Sequence, residues 1–275
     1  MPDIKIIVLD LDGTLLTSDK KISPRNYAAL EQAAEKGIHI VPSTGRFYDG
    51  MPAVVRELPF VRYAITVNGA EIYDAREDRV LHRAEMTPAQ AEEVFAFLDT
   101  LPVVYDCYQD GWGWMEKSLY DRAGDFIEDP KVLSMVKDLR TPVEGFRELI
   151  RSRNRGVQKV QMFFKDMDKR AESLPLLRQR FPGLNVTSSI TNNLELNSLD
   201  AHKGVALLKL CDILGVDPAQ TMAFGDGLND ITMLQTAALG VAMDNAYPEV
   251  KEAANFITDT NDHDGVAKAI EQFCL

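Results

Sequence analysis

Cysteine is scarce in this 275-residue chain: Cys107, Cys211 and Cys274 are the three it has. They lie far apart, and no Cys-x-x-Cys pair or Cys/His spacing suited to zinc occurs. An odd, sparse set provides no disulfide framework and fits a reducing, cytoplasmic setting. Basic residues are also in deficit, with 30 Lys and Arg against 42 Asp and Glu, a net charge of -12. That argues against a nucleic-acid binder, which needs a basic face, and against an anionic membrane surface. A small anionic substrate stays open, because a bound cation inverts the local field. No apolar run is long enough to span a bilayer. The N-terminal run from Ile4 to Leu9 is cut by Asp10 and lacks a basic leader and a small-residue cleavage site, so no signal peptide is expected. Internal repeats, low-complexity tracts and long linkers are missing too.

What remains is an ordinary globular composition, 45% hydrophobic and 26% charged, with length enough for a large core and two domains. Ile4 to Leu9 has the length and composition of a buried strand. Ser23-Pro24 is a helix start, Tyr27, Leu30, Ala33 and Ala34 follow helical spacing, and Gly37 ends the helix. Ile38 to Val41 predicts a second strand, Met51 to Glu57 a helix and Tyr63 to Val67 a third strand. This alternation is that of a parallel sheet with crossover helices.

Near residue 80 the rhythm changes. Thr87-Pro88 caps a helix bearing Ala91, Val94, Phe95 and Leu98. Pro102 to Tyr108 and Trp112 to Met115 form an expected hairpin about Asp110-Gly111. Val157 to Phe164 and Asn185 to Ser189 predict further strands, with a helix from Met167 to Phe181 between them. The first rhythm then resumes. A helix from Lys203 to Leu214 ends at Gly215, strands are expected at Thr221 to Phe224 and Leu239 to Met243, and helices before Ala254 and after Asp264. The chain thus divides into a parallel-sheet domain over 1–83 and 191–275, interrupted by an antiparallel α/β module over 84–190.

Polar residues collect at the carboxyl ends of the parallel strands, where such sheets bind ligands. They are Asp10 and Asp12, Ser43 and Thr44, Asn68, and the group Asp226, Asn229 and Asp230. Each alone reads as a turn or a capped loop. Four such ends on one sheet suit phosphoryl transfer through an aspartate. Asp10 and Asp12 project the same way by strand periodicity. Asp10 can attack phosphorus, and Asp12 can protonate the leaving alcohol and then deprotonate water. A phosphate ester repels a carboxylate nucleophile, so a cation is required. An acidic oxygen-donor loop with Asp226 and Asp230 favours magnesium. The Thr44 hydroxyl and Lys203 can bind the phosphoryl oxygens.

Four segments in order, Asp10-Leu11-Asp12-Gly13-Thr14, Ser43-Thr44-Gly45-Arg46, His202-Lys203-Gly204 and Gly225-Asp226-Gly227-Leu228-Asn229-Asp230, resemble the four motifs of the haloacid dehalogenase superfamily. Asn68-Gly69-Ala70, Val241 to Ala246 and Asp264 to Ala267 resemble its Cof-type, sugar-phosphatase-like branch. The resemblance implies an α/β fold: a Rossmann-like core, a parallel sheet with helices on both faces, and an inserted α+β cap that closes over the core. It implies a phosphoric monoester hydrolase that acts on a small phosphorylated metabolite through an aspartyl-phosphate. Asp10 would be the nucleophile and Asp12 the general acid/base. Thr44, Gly45 and Lys203 would bind phosphate. Magnesium would be held by Asp10, the Asp12 backbone carbonyl and Asp226, supported by Asn229 and Asp230. Arg46 and Asn68 stand where relatives contact substrate or phosphate.

Two departures stand out. Ser198 and Asp200 occupy positions where this branch usually has proline and glycine; an aspartate can still adopt the left-handed turn that glycine favours. Asp244 stands where glycine is common and adds a charge near the site. The cap aromatics Tyr105, Tyr108, Trp112 and Trp114 are candidates to line a substrate pocket, although packing is the commoner role. A phosphomutase of the same fold, a phosphoryl-accepting receiver and a non-catalytic binding protein are the competing readings. The Asp-x-Asp pair and the large insert favour turnover of a small ester over storage of a signal.

Overall fold

The computed structural model describes residues 3–275. The chain forms two compact units: one takes in the chain up to Arg83 and again His202–Leu275, and the other is Ala84–Ala201.

In the first unit five strands lie parallel, in the order Phe256–Ile257, Leu239–Ala242, Thr221–Gly225, Ile6–Leu9, His39–Pro42. Ile6–Leu9 is flanked on both sides and fully buried. Its side chains alternate between two apolar layers. Ile7 and Leu9 pack with Ala29, Leu30 and Ala33 of the helix Pro24–Glu35 and with Val266 and Ile270 of Gly265–Phe273. Ile6 and Val8 pack with Ala206, Leu207 and Leu210 of Lys203–Leu214 and with Met233 and Leu234 of Ile231–Thr236. Both faces are covered by helices, so the strand is apolar throughout instead of alternating. The ends are chemically marked as expected. Ser23 accepts from the Asn26 N–H with Pro24 at the first helical position, and Gly215 closes Lys203–Leu214 in the left-handed conformation.

Two expectations change here. Tyr63–Thr66 reaches the parallel sheet through isolated bridges at Ile40/Val61 and Ser43/Ile65. It pairs antiparallel with Glu71–Asp74, which pairs with Arg79–Arg83 in a separate three-stranded sheet. The cause is the reversal after Thr66, where Asn68 at φ 58° and Gly69 at φ 98° turn the chain back. The helix expected over 51–57 is the single turn Ala53–Arg56, because Pro52 is extended before it.

The second unit is a six-stranded sheet in the order Leu184–Thr187, Asn193–Ser198, Lys159–Phe164, Val103–Gln109, Trp112–Glu116, Thr141–Val143. Its pairings are antiparallel except the last, which is parallel. The hairpin turn at Asp110 and Gly111 has positive φ at both residues, 55° and 71°, as a two-residue loop demands. The strand expected over 185–189 is Leu184–Thr187. The sequence puts the return to the first unit at 191, but Asn193–Ser198 pairs with both Leu184–Thr187 and Lys159–Phe164. This unit therefore continues to Ala201.

One face of this sheet is apolar. Val103, Tyr105, Cys107, Val160 and Met162 pack beneath Val94, Phe95, Leu98, Phe146 and Leu177, and Trp114 joins them. Tyr105 is thus core, its hydroxyl donating to Asp99 at 2.6 Å. Cross-strand register puts Asp106, Tyr108, Lys159, Gln161 and Glu195 together on the opposite face. All five are buried. Arg140 Nε lies 3.1 Å from Asp106 Oδ2, Lys159 Nζ lies 3.2 Å from Glu195 Oε1, and both cations sit over the Tyr108 ring. Trp112 is partly exposed and donates to Thr141 Oγ1. Among the described residues no helix is long and apolar enough to cross a membrane.

Candidate active site

The carboxyl end of Ile6–Leu9 lies between Thr221–Gly225 and His39–Pro42, so the residues that follow these three strands meet. Asp10 is 9% exposed. Lys203, the first residue of its helix, is fully buried and points at it. The Lys203 ammonium donates to Asp10 Oδ1 at 2.5 Å, to Asp230 Oδ1 at 2.6 Å and to the Ser43 carbonyl at 3.0 Å. These three bonds use every proton of the ammonium. Burial alone would lower the pKa of Lys203, but the charges of Asp10 and Asp230 outweigh it and keep the lysine cationic.

His202 supplies the helix cap, its Nδ1 accepting from the Val205 N–H at 3.2 Å. Gly69 permits this approach. A Cβ there would lie 2.5 Å from the His202 carbonyl, and the backbone has φ 98°.

Asp226 and Asp230 arrive from the loop after Thr221–Gly225. Asp230 Oδ2 accepts from the Asp226 and Gly227 N–H groups at 3.1 and 2.9 Å, so one carboxylate shapes the loop and also holds Lys203. Asp226 Oδ1 accepts from Thr14 Oγ1 at 2.7 Å. Gly13 leaves room for this carboxylate: a Cβ on Gly13 would lie 2.4 Å from Asp226 Oδ2. One ligand oxygen from each of Asp10, Asp226 and Asp230 lies within 4.8 Å of the others.

Three carboxylates around one lysine leave an excess of negative charge. Burial, followed by the charge of Asp230, pushes Asp226 up to about 6. Burial likewise raises Asp10 well above the usual carboxylate range, with Asp230 and Asp226 adding to it against the opposing pull of Lys203. Hard oxygen donors carrying uncompensated charge are the chemistry that suits a magnesium-sized cation, so the residues fit the metal that the sequence implies.

Asp12 is held differently. Arg46 Nη2 lies 3.0 Å from Oδ2, and Lys20 Nζ 2.7 Å from Oδ1. Burial would raise its pKa, but the charge of Arg46 and the bond from Lys20 hold the carboxyl below its ordinary range. Arg46 therefore reaches Asp12. Thr44 is buried, and its hydroxyl accepts from the Arg46 N–H at 3.3 Å. Gly45 lies against Asn68, where a Cβ would come 2.9 Å from Asn68 Oδ1. Asn68 donates its N–H to the Thr44 carbonyl at 3.0 Å, and its Oδ1 accepts from Asn229 Nδ2 at 3.1 Å. Asn229 thus ties the fourth motif to Asn68.

The two sequence departures resolve simply. Asp200 is absent from the positive-φ residues, and the turn closes through Ala201 N–H to the Ser198 carbonyl at 2.9 Å, so no left-handed residue is needed there. Asp244 pairs with Lys251 at 2.8 Å and stands outside the acidic cluster. Sequence reading missed Lys20, Thr14 and the Ser43 carbonyl as site components. Thr14 lies inside the first motif and was within reach; Lys20 carries no motif signal.

A profile of haloacid dehalogenase-like hydrolases matches residues 7–270. The chain is 34% identical to the 5-amino-6-(5-phospho-D-ribitylamino)uracil phosphatase YcsE of Bacillus subtilis, over 99% of this chain and 97% of that protein. It is 31% identical to the phosphatase YwpJ of Bacillus subtilis, over 96% and 98%. A solved haloacid dehalogenase-like hydrolase from Bacillus subtilis superposes with a TM-score of 0.82 at 30% identity, covering 98% of this chain and 100% of the other.

Proposed function

Because the chain belongs to the haloacid dehalogenase-like hydrolases and is a phosphatase, we propose that it hydrolyses a small phosphomonoester through a phosphoryl group carried on Asp10. The observation that carries this reading is the buried Lys203 bridging Asp10 and Asp230 beside Asp226. Lys203 occupies Oδ1 of Asp10, and the second carboxylate oxygen is the nucleophile. That oxygen bonds to phosphorus while the bond from phosphorus to the ester oxygen breaks. The departing oxygen takes a proton from Asp12. In the second half, water bonds to phosphorus and gives a proton to Asp12. Inorganic phosphate leaves, and the Asp10 carboxylate is restored.

Asp10, Asp226 and the Asp12 carbonyl would hold magnesium, with Asp230 and Asn229 supporting that loop. Bound there, the metal neutralises the cluster and the phosphoryl oxygens. Thr44 and the Gly45 backbone orient the phosphoryl group, while Lys203, its protons engaged by Asp10, Asp230 and the Ser43 carbonyl, lends it positive charge and fixes Asp10. Arg46 and Asn68 border it. The relative that acts on a phosphorylated ribitylaminouracil supports a substrate with a polar, polyhydroxylated leaving group, in the same class as sugar phosphates.

A phosphate-release screen with magnesium tests this over sugar phosphates, nucleotides, pyridoxal phosphate and 5-amino-6-(5-phospho-D-ribitylamino)uracil. Turnover that EDTA stops is expected. Asp10→Asn should unfold at the wild-type temperature and release no phosphate. Wild-type rates in that variant would remove Asp10 as the nucleophile, and rates unchanged by EDTA would remove the metal.

A further inference from the structure

Asp12 is gripped at both oxygens, by Arg46 from the second motif and by Lys20 from its own loop. Lys20 is the less expected partner. Its backbone lies at φ 61°, a left-handed conformation that a lysine seldom adopts. The turn that imposes this is closed by Lys20 N–H to the Thr17 carbonyl at 2.8 Å and Thr17 N–H to the Lys21 carbonyl at 2.9 Å.

The loop is then fastened from the far end of the chain. Asp262 accepts from the N–H and hydroxyl of Ser18 at 2.8 and 2.6 Å, Asn261 Nδ2 donates to the Leu16 carbonyl at 2.9 Å, and Asn245 Nδ2 donates to the Gly13 carbonyl at 2.8 Å. The Lys20 side chain is 58% exposed. An exposed ion pair returns little stability, less than the left-handed backbone costs a lysine. Stability therefore does not explain why this turn presents an ammonium to Asp12. Backbone strain retained beside a reacting group is instead a mark of function.

We propose that Lys20 is a positioning residue: with Arg46 it fixes the Asp12 carboxyl beside the ester oxygen, and when Asp12 takes up the proton it donates, the oxygen that carries it leaves its cation while the other cation keeps the group in place. This rests on the reading of Asp12 as the general acid. In that step the bond from phosphorus to the ester oxygen breaks with its electron pair left on oxygen, and the proton of Asp12 moves to that oxygen. Lys20 contacts neither phosphorus nor the leaving group, so its effect scales with the need for the proton.

The test compares two aryl esters with the full-length protein and magnesium. Phenyl phosphate leaves as a basic phenoxide that needs protonation, whereas 4-nitrophenyl phosphate leaves well without it. kcat/KM reports the steps up to phosphoryl transfer onto Asp10. Lys20→Met should lower kcat/KM for phenyl phosphate by about tenfold or more, a fraction of the effect of losing an acid outright. The value for 4-nitrophenyl phosphate should stay near wild type. Lys20→Arg should recover most of the loss. Lys20→Gly relaxes the left-handed turn, so it should unfold at or above the wild-type temperature and still show the phenyl phosphate defect. In an Asp12→Asn background, Lys20→Met should add nothing. Equal losses for both esters, or a further loss in that background, would overturn the role of Lys20 and leave the phosphatase reading intact. Failure of the wild type to release phosphate from these esters and from every ester of the metabolite screen would overturn both.

Discussion

Single residues at this site are legible where strand geometry dictates them. Asp10 follows a buried apolar strand, and a charge in that place needs a partner. Lys203 is that partner, although a lysine at a helix start is more often solvated. The sequence does not show how strongly the cluster is charged, because that depends on three carboxylates converging from separate segments. The convergence has a measurable consequence. Asp226 is raised to about 6 by burial and by Asp230. The folded protein thus binds this proton more tightly than the unfolded chain does. The metal-free protein therefore keeps the benefit at low pH and loses it as pH rises through about 6. Magnesium needs the carboxylate form, so its affinity should run the opposite way. Thermal unfolding with and without magnesium should show a larger metal-induced rise near pH 7.5 than near pH 5. An equal rise at both would separate Asp226 from metal binding.

At the scale of elements, most strands and helices predicted from apolar periodicity are found, but the helices Pro130–Asp138 and Phe146–Ser152 and several strands rich in polar residues are not predicted. Glu71–Asp74 and Arg79–Arg83 escape notice because each is short with a charged residue at both ends, and Arg79–Arg83 is half-exposed. Asn193–Ser198 escapes because Asn193, Glu195 and Asn197 are polar yet buried, which conceals the alternation with Leu194 and Leu196. Lys20 is hidden for a different reason: a tight turn, not spacing, brings it to Asp12. The turn at Gly13 yields a further prediction. Its φ is 88° and a Cβ would strike the Asp226 carboxylate. Gly13→Ala should cost about 1–3 kcal/mol in backbone strain and displace Asp226. The magnesium concentration for half-maximal phosphate release should then rise several-fold, read beside the unfolding temperature. An unchanged magnesium requirement would show that Asp226 keeps its place without the glycine.

At the scale of the whole molecule, one parallel sheet is assembled from two stretches of chain separated by Ala84–Ala201. The interruption is readable because helix-strand alternation gives way to hairpin chemistry and then returns. Its C-terminal limit is misread because the last strand of the inserted unit looks polar. The assembly matters chemically, since Asp10 and Asp12 come from the first stretch and Lys203, Asp226 and Asp230 from the second. The central claim is that this assembly makes Asp10 a carrier of the phosphoryl group. The most direct measurement is rapid acid quench during turnover of a hydrolysed ester with magnesium, followed by borohydride reduction and peptide mass spectrometry. An acyl phosphate on Asp10 would be reduced to homoserine at position 10, and the account predicts that product when ester and magnesium are both present. Phosphate release in the same samples with residue 10 left as aspartate, and with wild-type stability retained, would contradict it.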